Sequence, residues 1–232
     1  MTTPSNQHEL SWGDTGSIIW CTADAQLSKS VHVRLLSKAL HDIVSNTLPE
    51  RRPDTITFDL SKCGFITEQF MLPVLPVLDR YRDEFGTRFK LILPEYNQSA
   101  ADLFRNANWA HFIDPDEFDR TTPLLRGGHI PATQFAIRTN NDRIDTAHDA
   151  DLRRRLVELL ANASQLEPSA FDGVDYALME LMDNVANHAY DYPDRSPLPE
   201  TGGYFQATYL HNHSNPAVEF ILADRGMGIP QS

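Results

Sequence analysis

Two cysteines in 232 residues, Cys21 and Cys63, are too few for a disulfide-stapled secreted domain and lack the spacing of a thiolate metal site. Long apolar runs are missing as well. No window approaches the roughly 20 apolar residues of a membrane span, and the N-terminal MTTPSNQHELSWGD has no basic segment leading into an apolar one, so no secretory leader is expected. A soluble protein of the reducing cytoplasm is the expectation. Cations are scarce too: 20 Lys and Arg stand against 32 Asp and Glu, a net charge of −12. That excess, spread over both halves, disfavours direct contact with nucleic acid or with an anionic membrane, whose phosphates it repels. Internal repeats and low-complexity tracts are also missing. What is present is ordinary for a folded chain, with 41% hydrophobic and 22% charged residues, and the length suits two domains.

Hydrophobic period then organises the chain. Residues 16–22 (GSIIWCT) form a short apolar run that predicts a strand, and residues 28–46 carry Val31, Leu35, Leu36, Ala39, Leu40 and Ile43 at helical spacing. After the proline-broken LPERRPD, residues 55–60 (TITFDL) predict a buried strand. Residues 68–85 predict a helix that Pro73 and Pro76 kink or delay. FKLILP predicts a strand over residues 89–94, and a polar cap opens a helix over 97–109. Residues 114–131 hold three prolines and a Gly-Gly pair without periodicity, which marks a boundary. Beyond it a strand is expected over 133–138, helices over 151–163 and 169–190, a loop through DYPDRSPLPETGG, and strands over 204–210 and 217–224. Alternating strands and helices imply an α/β chain of sheets covered by helices. The expected domains are a tail over 1–15, a first domain over 16–115, a linker over 116–132 and a second domain over 133–232.

The helix around residues 174–189 carries the chemistry. With Glu180 set at 0° and about 100° per residue, Asp183 falls near 300°, Asn187 near 340°, Asn184 near 40° and His188 near 80°. Val174, Leu178, Leu181, Met182, Val185, Ala186 and Ala189 take the opposite arc, the core side. Solvated helix faces favour charge pairs with Lys and Arg, yet neither occurs between Arg155 and Arg195. The polar stripe offers carboxylates, amides and an imidazole, which suit a hydrated divalent cation and its ligand. Glu180, Asn184 and His188 stand at i, i+4 and i+8, each about 6 Å further along the axis. Mg²⁺ keeps several waters and takes one or two protein oxygens besides phosphates, so the Asn184 amide oxygen suffices. A carboxylate one turn away can take the proton of a hydroxyl or water that attacks a terminal phosphate. The strand over 217–224 then ends in DRGMGIP, where Gly226 and Gly228 permit backbone conformations other residues resist.

Together, ELMDNVANHAY (180–190) resembles the N-box and DRGMGIP the G1 box of the GHKL ATPase superfamily, with the greatest similarity to the anti-sigma-factor serine kinases. The resemblance runs from about Thr133 onward. It implies a Bergerat-type α/β sandwich in which Asn184 coordinates Mg²⁺ and Glu180 is the catalytic base. His188 faces the phosphates, Asp224 accepts from the adenine amino group, and Gly226 and Gly228 shape the start of the nucleotide lid. The residues around TITFDLSKCGFITEQFMLPVLPVLDRY and FKLILP resemble the STAS domain of anti-sigma-factor antagonists over about 16–115. Where that family carries a phosphorylated serine, this chain has Thr67, Glu68, Gln69 and Phe70. A phosphoswitch is therefore not expected, Thr67 and Glu68 read equally as the start of a helix, and a docking role is expected instead.

Weaker signals point to bland roles. His211 and His213 share a strand face without a third ligand, the Arg153, Arg154 and Arg155 patch suits a solvated helix flank, and Trp12, Trp20 and Trp109 suit the first core. The fold expectation is thus a STAS-like strand–helix domain followed by an incomplete GHKL sandwich. The function implied is an ATP-binding signalling regulator with a protein partner, a protein serine kinase or ATPase where the full domain is present. A non-catalytic docking regulator and an ATP-gated conformational clamp are the alternatives. Only eight residues follow Asp224, so a lid and second glycine box fall outside them. Calorimetric titration of the 232 residues with Mg·ATP is expected to give weak or no binding, and micromolar affinity overturns that expectation.

Overall fold

Period-two alternation governs the first of two units, Met1–Thr122. The computed structural model describes residues 10–12, 16–20, 25–27, 30–45, 47–120, 128–138, 143–188, 202–210 and 217–224. The first unit runs β1 (Leu10–Trp12), β2 (Ser17–Trp20), β3 (Ala25–Leu27), α1 (Ser30–Leu40), a π-helical turn His41–Ser45, and a short 3-10 turn Pro49–Arg51. It continues through β4 (Thr55–Asp59), β5 (Cys63–Ile66), α2 (Glu68–Phe85), β6 (Arg88–Ile92), α3 (Gln98–Asn106) and α4 (Trp109–Ile113). One sheet has the order β1-β2-β4-β6, with β2, β4 and β6 parallel and β1 antiparallel to β2. A smaller parallel pair joins β3 to β5.

Ile18 pairs with Phe58, Phe58 with Leu91 and Ile56 with Phe89, and all five are buried. The alternate residues Thr55, Thr57 and Asp59 are partly exposed, so the strand expected to be buried is covered mainly on one face. The helices press on that apolar face. Leu36 of α1, Phe70, Met71, Val74 and Leu78 of α2 and Ile113 of α4 meet Phe58 and Leu60 around a small apolar void. Trp109 is fully buried, edge-on to Phe104 at 5.6 Å, and Trp12 is half-buried with its indole donating to Asp42. The Trp20 side chain lies outside the described residues.

Polar locks then fix α4. Arg82 donates to the carbonyls of Phe112 and Ile113, both at 2.7 Å, and pairs with Asp79 at 2.8 Å. Asp114, buried, accepts from Lys90 Nζ and the Leu91 N–H, each at 3.1 Å. Cys63 is buried, and burial pushes its thiol up to about 11, which leaves little thiolate to react.

The helix expected over 68–85 is present as α2, but Pro73 and Pro76 do not delay it: it starts at Glu68 and runs through both to a left-handed Gly86. Six buried apolar residues of this helix, Phe70, Met71, Leu72, Val74, Leu75 and Leu78, outweigh a penalty of about 3 kcal/mol per interior proline. Thr67 occupies the N-cap position, but its side chain makes no capping hydrogen bond. The short strands β1, β3 and β5 lie where no strand was expected.

The second unit, Pro123–Ser232, runs β7 (His129–Phe135), α5 (Thr146–Ser164), a 3-10 turn Pro168–Phe171, α6 (Asp172–His188), β8 (Gly203–Leu210) and β9 (Ala217–Asp224). The strands form an antiparallel sheet in the order β7-β8-β9. Its first strand lies earlier than the expected 133–138 because it admits Pro131. A proline is tolerated on an edge strand where the ladder is irregular, and the β7–β8 register shifts between Ile130 and Thr133. Phe205 and Ala207 of β8 face a core with Leu152, Leu156 and Leu159 of α5 and Leu178, Met182 and Ala186 of α6. The other sheet face is mixed, with Tyr204, Gln206 and Thr208 buried beside Ile221 and Ala223; Gln134 bonds its register partner Tyr204 at 3.3 Å and His129 its partner Thr208 at 3.3 Å.

Where β7 ends, Ala136 turns left-handed at φ 50°. Its N–H donates to both oxygens of the buried Asp149 carboxylate, at 3.0 and 3.2 Å. Burial raises the Asp149 carboxyl above its ordinary range, opposed by the Ala136 hydrogen bond and by His148 and Arg153. The folded state therefore binds this proton more tightly than the unfolded chain. Its stabilising contribution is present below the ordinary carboxylate pKa and is lost as pH rises through the raised value. Asp149→Asn, which keeps an acceptor for Ala136, is expected to lose this pH dependence, whereas Asp149→Ala strands the N–H and costs about 1–3 kcal/mol. Urea unfolding across mildly acidic pH checks both, and parallel curves for wild type and the Asn variant overturn the first.

Candidate functional site

The helix α6 is built as its period requires. Asp172 and Asp175 occupy its first turn, where carboxylates complement the helix dipole. Leu178, Met182 and Ala186 are buried against the sheet. Glu180, Asp183, Asn184 and Asn187 are all exposed, so the polar stripe faces outward as a row. Leu181, expected on the buried arc, is 50% exposed. On the helical wheel it falls at about 100°, beside His188 at about 80°, and so belongs to the rim of the stripe. His188 is the last residue of α6; its side chain lies outside the described residues.

Two contacts carry α6 to one end of the sheet. Arg138, just past β7, donates to the Ala186 carbonyl at 3.3 Å. Gly202, which precedes β8, donates its N–H to the carbonyls of Phe135 and Ala136 at 3.1 and 3.2 Å. A Cβ on Gly202 meets Ala136 Cβ at 2.5 Å and Val185 Cγ1 at 3.3 Å. The start of β8 thus lies beside the residue that follows Asn184.

Asp224 reaches the same end through register. Gly203 pairs with Asp224, Phe205 with Leu222 and Ala207 with Phe220. Directly paired antiparallel residues share a face, so Asp224 stands on the helix-covered side of the sheet at its β9 end, and it is exposed. The structure therefore brings Asp224 and the Asn184 turn of α6 to one end and one side of the sheet. Gly226, Gly228, His211 and His213 lie outside the described residues. Among the described residues no group of three or more His, Cys, Asp and Glu is placed to hold a metal, and no helix is long and apolar enough to cross a membrane.

Of the arginine patch, Arg154 pairs with Asp151 and Glu158 on the exposed flank, while Arg153 bridges α5 to α6 through Asp175 at 3.0 Å. Three residues that shape the site escaped the motif reading. Gly202 stood in a segment read as a loop, and Arg138 at the end of an expected strand. Tyr176 lies on the stripe at about 320°, one turn before Glu180; its i, i+4 spacing from Glu180 was the available signal. The Tyr176 phenol is held above its ordinary value by hydrogen bonding to the Glu180 carboxylate, by the charge of that carboxylate and, least, by burial.

Comparison of the chain with protein-family models, with curated proteins and with solved structures finds no match. The assignment of the site therefore stands on its residues and their placement. Gly202→Ala is expected to cost about 1–3 kcal/mol through overpacking against Ala136 and Val185, read by urea unfolding. Unchanged stability means that the start of β8 does not bear on α6.

Proposed function

We propose that this chain is a nucleotide-binding signalling regulator of the anti-sigma-factor serine-kinase type, in which a STAS-like unit precedes a GHKL-type unit. The observation that supports the reading most is the meeting of two sequence motifs at one sheet end: Asp224 on the helix-covered side, and Asn184 one residue from the Val185 that approaches Gly202. Motifs separated by two strands and a long loop have no reason to converge there if each were only a solvated surface.

The donor set fits magnesium bound to a triphosphate. An exposed amide oxygen and a carboxylate one turn apart are hard oxygen donors, and the ion needs no cluster of three protein ligands when phosphates and water complete its shell. Asn184 would hold the ion and Asp224 would read the base. The bound nucleotide supplies an electrophilic terminal phosphoryl group. Glu180 orients the attacking hydroxyl of a protein partner and takes its proton as the new O–P bond forms and the bond to the leaving diphosphate breaks. The acidic chain favours a protein partner over nucleic acid. In the first unit, Glu68 in the first turn of α2 sets a fixed negative charge at the position of the related switch, which suits constitutive docking over a phosphoswitch.

In a version that carries whatever the reading frame encodes beyond Ser232, Asn184→Ala is expected to weaken Mg·ATP binding by about 100-fold or more by calorimetry. Terminally labelled ATP is expected to leave label on a protein partner. Equal affinity in wild type and Asn184→Ala overturns the reading, and turnover without labelled protein replaces kinase by clamp.

A further inference from the structure

The two edges of the β7-β8-β9 sheet are finished differently. On β7, Ile130, Ala132 and Phe135 are buried, Pro131 sits within the strand, and the register to β8 shifts between Ile130 and Thr133. Cover, proline and irregular register all keep an edge from taking a further strand. Strand β9 has none of these. Its residues AVEFILAD include no proline, lysine or arginine, and they pair with β8 without a break from Gly203↔Asp224 to Leu210↔Ala217. Tyr204, Phe205, Gln206 and Ala207 of β8 are buried, yet of their register partners Phe220 is 38% exposed and Ile221, Leu222 and Ala223 are partly exposed. Among the described residues, β8 is the one strand beside β9. We propose that the outer edge of β9 is a dimerisation surface, on which β9 of a second copy of this chain pairs antiparallel and joins the two sheets into one.

The side chains of this edge suit self-pairing. A two-fold axis normal to the sheet keeps each face on its own side, so paired positions are both even or both odd. With Ile221 on the axis, Phe220 meets Leu222 of the second copy on the helix-covered face, and does so twice. Ile221 meets its own copy on the other face. Glu219 then lies opposite Ala223, and Asp224 opposite Val218. No acid faces an acid, which matters for a chain of net charge −12, because like charges opposed across a strand pair are destabilising. The whole of residues 218–224 enters the ladder. Since the β7 edge is closed, assembly stops at two copies. One strand pair is a small interface, so the dimer is weak and dissociates on dilution.

Sedimentation equilibrium of the 232-residue chain is expected to show monomer and dimer exchanging in the micromolar range. A monomer at every concentration up to about 1 mM, or growth beyond the dimer, overturns the proposal. Two variants of equal charge test the edge and its register. Ile221→Lys sets two lysines against each other on the axis and is expected to weaken the dimer about tenfold or more. Ala223→Lys sets each lysine opposite Glu219 of the second copy and is expected to leave the dimer as tight as wild type or tighter. Equal weakening by both, or no effect of Ile221→Lys, overturns the proposal. Hydrogen exchange of the wild type needs no substitution: protection of alternate amides within Phe220–Ala223 is expected to rise with protein concentration, and protection independent of concentration overturns the pairing.

Discussion

The Ala136 N–H, clamped between the two oxygens of Asp149, is the fixed point of the second unit. A left-handed alanine is unfavourable by itself and persists only where its surroundings hold it. Here the first turn of α5 does so from one side, and Gly202 from the other, donating to the carbonyls of Phe135 and Ala136. The turn sends the chain toward Arg138, whose guanidinium reaches the Ala186 carbonyl. Removing the clamp would release at once the end of β7, the entry to β8 and the tie to the C-terminal turn of α6, the three elements around the candidate site.

Each unit is organised by a buried aspartate that satisfies a main-chain N–H, and the two solve the cost of burial differently. Asp114 accepts from Leu91 and has Lys90 Nζ at 3.1 Å as a direct counter-charge. Asp149 has both oxygens on one N–H and no ion pair among the described residues, so burial dominates and holds its carboxyl above the ordinary range. The first unit is therefore locked by an ion pair between sheet and helix end, and the second by a hydrogen bond whose strength depends on protonation.

Much of this was legible in the sequence because period is a property of sequence. The strands β4, β6, β8 and β9 and the helices α2 and α6 follow from apolar spacing, and the polar stripe of α6 from the lack of any cation between Arg155 and Arg195. What was illegible depended on partners distant in the chain. Strand β7 hides its period behind Pro131, which only an edge position and a register shift make acceptable. Strands β3 and β5 are too short to show a period and exist by pairing with each other. Leu181 is apolar by type but stands at the rim of its helix, and Gly202 looks like loop until Ala136 and Val185 are beside it. Prolines 73 and 76 mislead because propensity is local whereas the burial that overrides it is tertiary.

The charge distribution of α6 ties these points to the site. A helix gains from cations in its last turn, yet the C-terminal half of α6 carries Asp183, two asparagines and a histidine and no Lys or Arg. The missing cation comes from outside the helix: Arg138 reaches the Ala186 carbonyl from the exit of β7, on the side away from the stripe. The dipole is complemented while the stripe keeps no Lys or Arg. An arginine within α6 would give the same dipole energy but would put a guanidinium on or beside the row of Glu180 and Asn184, where it would pair with the carboxylate. Placing the cation on β7 separates the stability of the helix from the chemistry of its face, and it works only because the Asp149 clamp fixes where β7 ends.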